Sequence, residues 1–325
     1  MDATKKRVLT GLQPSGTLHI GNYLGSIRPF TQTISSMLDD GVEAYLMVAD
    51  YHALTSVKDK AGLRASIYEL VRDYLALGID TNNVVLFRQS DNPHHTELAW
   101  VLNCLVTVPF LMQAHAYKDK VAKGLEANAG LFTYPMLMAA DIVLYDTDMV
   151  PVGEDQRQHL EYTREAVTKF NNSYGETLRQ PKELIIPSVG IVPGTDGQKM
   201  SKSYKNTIPL FGSRAAIQES VMKIVTDSHG DRPENVYAIH KTLYTSLDKP
   251  LAELDALYDA HAGKYKALKE ALADDLDTHI APLRERRASI SDSEIRTILH
   301  DGVQKAQSVS MGTLERVREA IGINL

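Results

Sequence analysis

Short apolar runs alternate with stretches of helical spacing along the first half of the chain. The apolar runs cover residues 7–10, 43–49, 84–87 and 149–152 and are rich in aliphatic and β-branched side chains. Between the second and third runs, apolar residues recur every three or four positions until Gly78, which is the spacing of a helix with a glycine stop. Near-continuous apolar strands that alternate with helices predict a parallel sheet covered on both faces.

The last third of the chain lacks this strand pattern and carries helix signals instead. Ser213 is predicted to cap one helix, and a long helix is predicted over residues 263–287. Ser291, with Glu294 three positions later, has the capping-box pattern that begins a helix, and Gly302 is predicted to end that helix. We therefore expect this part of the chain to be all-helical.

The length of the chain fits two domains. It has 325 residues, and a domain usually contains about 100–200. A stretch rich in glycine, proline and lysine, residues 193–206, marks the predicted boundary. We predict an α/β fold in which a parallel-sheet domain over residues 1–206 is followed by an all-helical domain over residues 207–325. The sequence leaves open whether the last helix packs back on the first domain.

Composition and charge limit the classes of function. Apolar residues make up 43% of the chain and charged residues 23%, as in soluble globular proteins. The net charge of −6 argues against an extended positive surface for DNA, although it does not exclude a local basic patch. The single cysteine, Cys104, excludes an internal disulfide and a cysteine-based zinc site, and it favours a reducing compartment.

The longest uncharged stretch, residues 98–117, approaches the length of a membrane span. It contains proline and several polar residues, so we interpret it as a buried helical stretch broken by proline, with Trp100 and Cys104 on one packed helix face. The apolar run over residues 8–12 is too short for a signal peptide. We expect a cytoplasmic protein without a membrane partner.

A glycine-rich segment, residues 11–25, joins the first predicted strand to a helix. Ligands of α/β sheets bind at the carboxyl ends of the strands, where this segment would lie. It lacks the G-x-G-x-x-G and P-loop fingerprints. His19 and Asn22 are three positions apart and share one helical turn, from which they would donate hydrogen bonds to a phosphate. An ordinary glycine-rich turn with a capping histidine explains these residues about as well.

A basic segment, residues 197–203, follows much later in the chain. Lys199 and Lys202 alternate with serines, and the glycines and proline around them predict a mobile loop. Such a loop is suited to close on an anion whose charge changes during a reaction. Taken alone, the segment is more simply a solvated basic turn.

Asp141 lies in an otherwise apolar helical stretch, residues 131–145. A buried carboxylate needs a partner because its desolvation is costly. Tyr134 and Met138 share a helix face with Asp141 and would suit the wall of a slot for a flat ring. Two interpretations remain: a core aspartate bonded to a neighbour, and an acceptor at the bottom of a pocket for a ligand N–H.

Residues 150–159 predict a strand end, a glycine and two acids at the start of a helix. Glu154 and Asp155 would interact favourably with the helix dipole there. An acid in this position also accepts hydrogen bonds from ribose hydroxyls in other nucleotide sites.

The motifs taken together resemble those of a known enzyme family. H-I-G-N at 19–22 and K-M-S-K-S at 199–203 resemble the paired signature of class I aminoacyl-tRNA synthetases. With G-L-Q-P-S-G, Y-P-M-L-M-A-A-D-I and V-P-V-G-E-D-Q, almost the whole chain resembles the bacterial tryptophanyl-tRNA synthetases. The resemblance implies a Rossmann-like catalytic domain, a helical tRNA- and anticodon-binding domain and a homodimer. It also implies activation of L-tryptophan with ATP, Mg²⁺ bound through the ATP phosphates, and transfer of the aminoacyl group to tRNA(Trp).

The same resemblance assigns roles to individual residues. The residues implied to act on the reacting phosphates are His19, Lys199 and Lys202. Those implied to bind ATP are Gln13, Pro14, Ser15, Gly21, Asn22, Lys120, Gly153, Glu154, Asp155, Val192, Lys199, Met200, Ser201, Lys202 and Ser203. Those implied to bind tryptophan are Tyr134, Met138, Asp141 and Gln156, with Asp141 accepting from the indole N–H. No residue is assigned to a metal.

Two positions depart from the general pattern. Asn22 stands where the class I signature has a second histidine, as is usual in the tryptophan branch, and His19 stands where that branch often has threonine. The alternative functions are a tyrosyl-tRNA synthetase, a small-molecule nucleotidyltransferase of the same superfamily, and a non-catalytic RNA-binding paralogue.

Three further histidines draw attention. His94 and His95 are adjacent, but no third metal ligand follows at a useful spacing, so we interpret them as part of a surface loop. His52 follows the second predicted strand and would lie near the site, without an assigned role.

Overall fold

The computed structural model describes residues 5–14, 16–124, 126–152, 157–186, 191–226 and 231–324, with only the backbone of residue 157. In this part of the chain, five strands form one parallel sheet. The strands are β1 (Arg7–Leu12), β2 (Glu43–Val48), β3 (Val84–Arg88), β4 (Met149–Val152) and β5 (Lys182–Ile185). The helices are α1 (Ile20–Asn22), α2 (Arg28–Asp39), α3 (Asp50–Ala53), α4 (Lys60–Ala76), α5 (His94–Asn103), α6 (Val108–Leu111), α7 (His115–Ala122), α8 (Ala129–Val143), α9 (Arg157–Tyr174), α10 (Arg214–Met222), α11 (Glu234–Ser246), α12 (Leu251–Ala260), α13 (Tyr265–Ser289) and α14 (Asp292–Ala320).

The strand order is β3-β2-β1-β4-β5. The chain therefore builds the sheet outward from β1 in one direction and then returns to add β4 and β5 on the other side. The order reverses between β1 and β4, and ligands of open α/β sheets bind at this reversal, beyond the carboxyl ends of the strands. The topology thus directs attention to the segments that follow β1 and β4.

Four of the five strands were predicted from the sequence, and the α/β fold class is confirmed. The apolar runs become β1 to β4 because both of their faces are buried: Leu9, Tyr45 and Phe87 pack in one core cluster, while Val8 and Leu46 pack in another. Successive side chains of a strand point to opposite faces. Each strand must therefore be apolar on both sides, which is the pattern that the sequence shows.

The caps that begin two helices of the last third are confirmed. Oγ of Ser213 accepts from the backbone N–H of Ala216 at the start of α10 (3.2 Å). Oγ of Ser291 accepts from the backbone N–H of Glu294 at the start of α14 (3.1 Å). Each cap satisfies a backbone donor that has no partner inside the helix.

The prediction that Gly302 ends its helix is wrong. Helix α14 continues through Gly302 to Ala320 and packs on β3, α4 and α5. A Cβ built on Gly302 would overlap the backbone carbonyl of Leu86 in β3. The glycine is therefore required for the close approach of helix and strand, not for a helix end.

Gly302→Ala is expected to lower the free energy of unfolding by about 1–3 kcal/mol, as for overpacking of a tight interior. Urea unfolding monitored by circular dichroism measures the change. Gly312→Ala is the matched control on the same helix, because a Cβ there meets no atom within 4 Å and alanine favours the helical state. Equal stability of the Gly302→Ala variant and the parent would contradict the close approach.

The expectation of a buried stretch over residues 98–117 is partly wrong. The stretch is broken as predicted, because α5 ends at Asn103 and α6 begins at Val108 with Pro109 in its first turn. However, 71% of the Trp100 surface is exposed, and Cys104 is exposed as well. The two residues therefore do not form a packed helix face within the chain. No helix in the described ranges combines the length and apolarity needed to cross a membrane.

Candidate active site

A cleft of about 650 Å³ opens at the carboxyl edge of the sheet. Its wall includes Thr10 and Gly11 of β1, Val152 of β4 and residues of α7 and α8. It therefore lies at the point where the strand order reverses, as the topology predicts. Four residues predicted from the sequence line it together: Gln13, Tyr134, Met138 and Asp141.

Asp141 is buried at the wall of this cleft with 2% of its surface exposed. Oδ1 accepts from Nδ1 of His95 (2.7 Å) and Nε2 of Gln89 (2.8 Å). Oδ2 lies 2.7 Å from Nε2 of His52 and 3.0 Å from Nε2 of Gln89. Burial alone would raise the pKa of Asp141, but the hydrogen bonds from His52 and His95 outweigh burial and lower it to about 2. The carboxylate is thus an ionised acceptor at neutral pH.

Of these three donors, His52 alone lines the cleft. His95 and Gln89 are fully buried behind Asp141. An incoming ligand N–H would therefore compete with His52, while the other two donors keep the carboxylate in place. The geometry is compatible with both interpretations of Asp141, because the residue is hydrogen-bonded to core neighbours and also faces the cleft.

Gln89 and His95 were not recognised as site residues, whereas His52 was expected near the site and lines the cleft. The interpretation of His94 and His95 as a surface loop is wrong, since both lie in α5 and are buried. The available signal was Asp141 itself, because a carboxylate in an apolar helix requires donors from elsewhere in the chain.

Tyr134 stands at the rim of the cleft beside His52. The two rings meet edge-on with centroids 6.3 Å apart, and Oη of Tyr134 is 2.9 Å from Nε2 of His159. Burial raises the pKa of Tyr134, so its phenol stays protonated. The hydroxyl therefore keeps both its donor and its acceptor capacity at the cleft.

His19 caps the helical segment that follows the glycine-rich turn. Its Nδ1 accepts from the backbone N–H of Asn22, and the backbone N–H of His19 donates to Oδ1 of Asn22, both at 3.2 Å. Burial, together with the positive charge of Lys202, lowers the pKa of His19 to about 4. The neutral ring then carries its proton on Nε2, so capping leaves one N–H available as a donor.

The glycine-rich segment and the basic segment meet directly. The backbone N–H of Gly21 donates to Sδ of Met200 (3.2 Å). A Cβ built on Gly16 would lie 3.6 Å from Nζ of Lys202. On the far side, the backbone N–H of Ile20 donates to the carbonyl of Ile208 (2.9 Å). Two segments far apart in sequence therefore form one corner of the site, as their pairing in the sequence predicts.

The basic segment is organised around one buried amide, that of Asn206. Its Oδ1 accepts from the backbone N–H of Ser201 (2.8 Å), and its Nδ2 donates to Asp196 (2.7 Å) and to the carbonyl of Lys199 (3.1 Å). Ser201 in turn accepts from the backbone N–H of Ser203 (3.3 Å). The loop is therefore a defined turn that holds Lys202 beside the first segment.

The remaining predicted residues are distributed as follows. Lys199 is exposed on the loop, Lys120 is half-buried on α7 next to Asp119 of the cleft wall, and Pro14 is buried. Val192 is buried, and its carbonyl accepts from the backbone N–H of Met200 (3.0 Å). Ser15, Gly153, Glu154, Asp155 and Gln156 lie outside the described residues. All ligand-binding roles of these residues remain predictions.

Comparison with known proteins gives the family. The model for "tRNA synthetases class I (W and Y)" matches residues 1–291. A tryptophan–tRNA ligase of Fusobacterium nucleatum is 42% identical over 325 aligned residues, which cover 98% of each chain. This chain belongs to the tryptophan–tRNA ligase family.

Other family members agree over the same length. The tryptophan–tRNA ligase of Rhodopirellula baltica is 42% identical and covers 98% of this chain and 99% of its own. The crystal structure of tryptophanyl-tRNA synthetase from Campylobacter jejuni, complexed with ADP and tryptophan, superposes with a TM-score of 0.88 at 38% identity. It covers 97% of this chain and 99% of its own.

Proposed function

We propose that this chain activates L-tryptophan with ATP to tryptophanyl-adenylate and pyrophosphate, and then transfers the aminoacyl group to tRNA(Trp). The observation that carries the proposal is the corner formed by the two signature segments, with a cleft and a buried ionised acceptor beside it. The Campylobacter jejuni relative, solved with ADP and tryptophan, supports ATP as the nucleotide and tryptophan as the amino acid.

The chemistry needs no covalent enzyme intermediate. The tryptophan carboxylate attacks the α-phosphorus of ATP in line, and pyrophosphate leaves. The protein contributes positioning and charge stabilisation: Nε2–H of His19 faces the α-phosphate, while Lys199 and Lys202 stabilise the pyrophosphate. Mg²⁺ bound through the ATP phosphates would supply further neutralisation of their charge.

Tryptophan occupies the cleft between β1 and α8. Its indole N–H is directed to Asp141, Met138 packs on the ring, and Tyr134 with Gln156 holds the amino-acid head group. Gln13, Pro14, Ser15, Gly21 and Asn22 contact ATP from the first segment. Gly153, Glu154 and Asp155 hold the ribose. Val192 lies near the adenine, Lys120 reaches a phosphate, and Met200, Ser201 and Ser203 complete the loop that closes on the nucleotide.

The two predicted domains divide the work. We assign residues 1–206 to catalysis and residues 207–325 to binding of the tRNA and its anticodon, in the cytoplasm, with the last helix, α14, packed back on the sheet of the first part.

An ATP–pyrophosphate exchange assay with each of the twenty amino acids tests the proposed function. Exchange is expected with tryptophan alone, followed by charging of tRNA(Trp). Exchange driven by tyrosine would favour the tyrosyl-tRNA synthetase alternative. Absence of exchange with every amino acid would contradict both.

A homodimer is part of the proposal. Large apolar side chains are exposed together in the α5–α7 segment: Trp100 (71%), Val108 (60%), Met112 (47%) and Val121 (51%). Exposed apolar side chains gathered in one segment are typical of protein–protein interfaces, and aromatic residues dominate the binding energy of such surfaces.

Trp100→Glu is therefore expected to convert the dimer to monomer at micromolar concentration, because a charge would replace the largest apolar anchor. Sedimentation velocity measures the change. Ile323→Glu is the control, since Ile323 is exposed to a similar degree (59%) outside this segment. An unchanged sedimentation coefficient for Trp100→Glu would place the interface elsewhere.

A further inference from the structure

A chain of buried hydrogen bonds leads from the cleft to the C-terminal helix. Its members are Asp141, His95, Tyr145, Asn92 and Ser310, and each exposes 2% or less of its surface. Nε2 of His95 is 2.8 Å from Oη of Tyr145. Nδ2 of Asn92 is 3.1 Å from the same hydroxyl and 3.0 Å from Oγ of Ser310 on α14. Only Asp141 lines the cleft.

The chemistry of Asp141 and Asn92 sets the direction of the hydrogen bonds that these two residues make. An ionised carboxylate only accepts hydrogen bonds, so Nδ1–H of His95 donates a hydrogen bond to Asp141. On the other side of the ring, Nε2 of His95 is paired with the hydroxyl of Tyr145 (2.8 Å). The Tyr145 oxygen accepts from the amide of Asn92, whose second N–H is directed to Ser310. The hydroxyl of Ser310 also lies 2.8 Å from Nδ1 of His94 and 3.2 Å from the carbonyl of Gln307.

The two bonds of its ring nitrogens fix the ring orientation of His95. Without the Tyr145 hydroxyl, Nε2 is a buried polar atom with no hydrogen-bond partner, which favours rotation of the ring. Rotation removes the 2.7 Å bond between Nδ1 of His95 and Oδ1 of Asp141. Fully satisfied polar networks are rigid. These buried hydrogen bonds therefore hold the Asp141 carboxylate from the side opposite the cleft, while His52 faces the cleft.

We propose that Tyr145, Asn92 and Ser310 are positioning residues for amino-acid selectivity. They hold His95, and through it the Asp141 carboxylate, in the orientation that recognises the indole N–H. The proposal rests on the proposed function. The proposal also implies that tryptophan selectivity depends on the packing of α14 against the sheet, since Ser310 belongs to that helix.

The hydrogen-bond chain from Asp141 through His95, Tyr145 and Asn92 to Ser310 is called the relay below. The variants Tyr145→Phe and Ser310→Ala test it in the full-length protein. ATP–pyrophosphate exchange is measured with tryptophan and with 3-benzothienyl-alanine, in which sulfur replaces the indole N–H. Each variant is expected to reduce the preference for tryptophan about tenfold, the effect of one buried hydrogen bond. The loss appears as a higher KM for tryptophan, with kcat and the KM for ATP unchanged. The double variant loses no more than the larger single effect, because both changes act through His95.

Two matched controls separate positioning from packing. Tyr45→Phe alters a buried ring stacked on Tyr145 (centroids 5.3 Å apart), and Thr313→Val removes another buried hydroxyl from α14. Neither side chain belongs to the relay, so both variants keep the wild-type preference. Ser310→Thr retains the hydroxyl and is expected to show the wild-type preference for tryptophan.

The outcomes distinguish the relay from the proposed function. Wild-type preference in both test variants overturns the relay alone. A fall in kcat shared by both amino acids and by the controls indicates general loosening and overturns it too. If Tyr145→Phe does not fold, the smaller change Ser310→Ala decides by the same criteria. Absence of tryptophan-dependent exchange in the wild-type protein contradicts the proposed function instead.

Discussion

Lys202→Ala is expected to slow tryptophan activation about 10²–10³-fold, the loss typical of removing one donor that stabilises developing charge. Lys202 lies beside Gly16 and close enough to His19 to lower the pKa of that histidine. Partial desolvation lowers the pKa of the Lys202 ammonium, and the negative charge of Asp73 opposes this change. A partly desolvated cation at this corner interacts more strongly with a leaving pyrophosphate than one in bulk water. Single-turnover formation of the adenylate measures the rate.

The KM for tryptophan is expected to stay unchanged in this variant, because Lys202 does not line the cleft. Lys205→Asn is the control: it removes a charge three positions later, and asparagine tolerates the left-handed backbone of Lys205 (φ 54°). Its rate is expected to resemble that of the wild type. An effect of Lys202→Ala confined to the KM for tryptophan would contradict a role in phosphate chemistry.

The sheet was predictable because its strands are buried on both faces. Continuous apolar runs identify β1 to β4, whereas β5 was missed. Its residues Lys182 to Ile185 are half charged and largely exposed, whereas β3 at the opposite edge is covered by α14. Hydrophobic periodicity carries no signal for such a strand. A predicted parallel sheet of four strands therefore locates the reversal point correctly while underestimating the width of the sheet.

Trp100 and Gly302 illustrate a different limit. An apolar helix face has the same pattern whether the chain itself or a second molecule covers it, so the exposure of Trp100 was not predictable. A glycine near a helical pattern indicates either a helix end or a close approach. At Gly302 the decision depends on the carbonyl of Leu86, more than 200 positions earlier in the chain. Tertiary packing determines both outcomes.

Within the candidate site, local patterns identified residues that line the cleft but not those behind them. Tyr134, Met138 and Asp141 share a helix face, and they line one cleft as expected. His95 and Gln89 come from other elements and reach Asp141 only through the fold. Helical spacing describes one element at a time. It therefore predicts that a buried carboxylate needs hydrogen-bond donors, but it does not identify which residues supply them.

Asp141→Ala is expected to abolish most of the discrimination between tryptophan and phenylalanine. A site built around one ligand N–H rejects analogues that lack it by about 10⁴–10⁵-fold, and we propose the ionised Asp141 as the acceptor for such a group. The ratio of kcat/KM values in ATP–pyrophosphate exchange measures the loss. The variant also leaves the donors of His52, Gln89 and His95 without this acceptor, two of them fully buried, so its stability falls as well. Asp275→Ala is the control for this, since Asp275 likewise accepts from a buried histidine, His240 (2.9 Å), but lies in the helical part of the chain. Selectivity retained in Asp141→Ala, with stability lost in both variants, would make Asp141 a structural residue only.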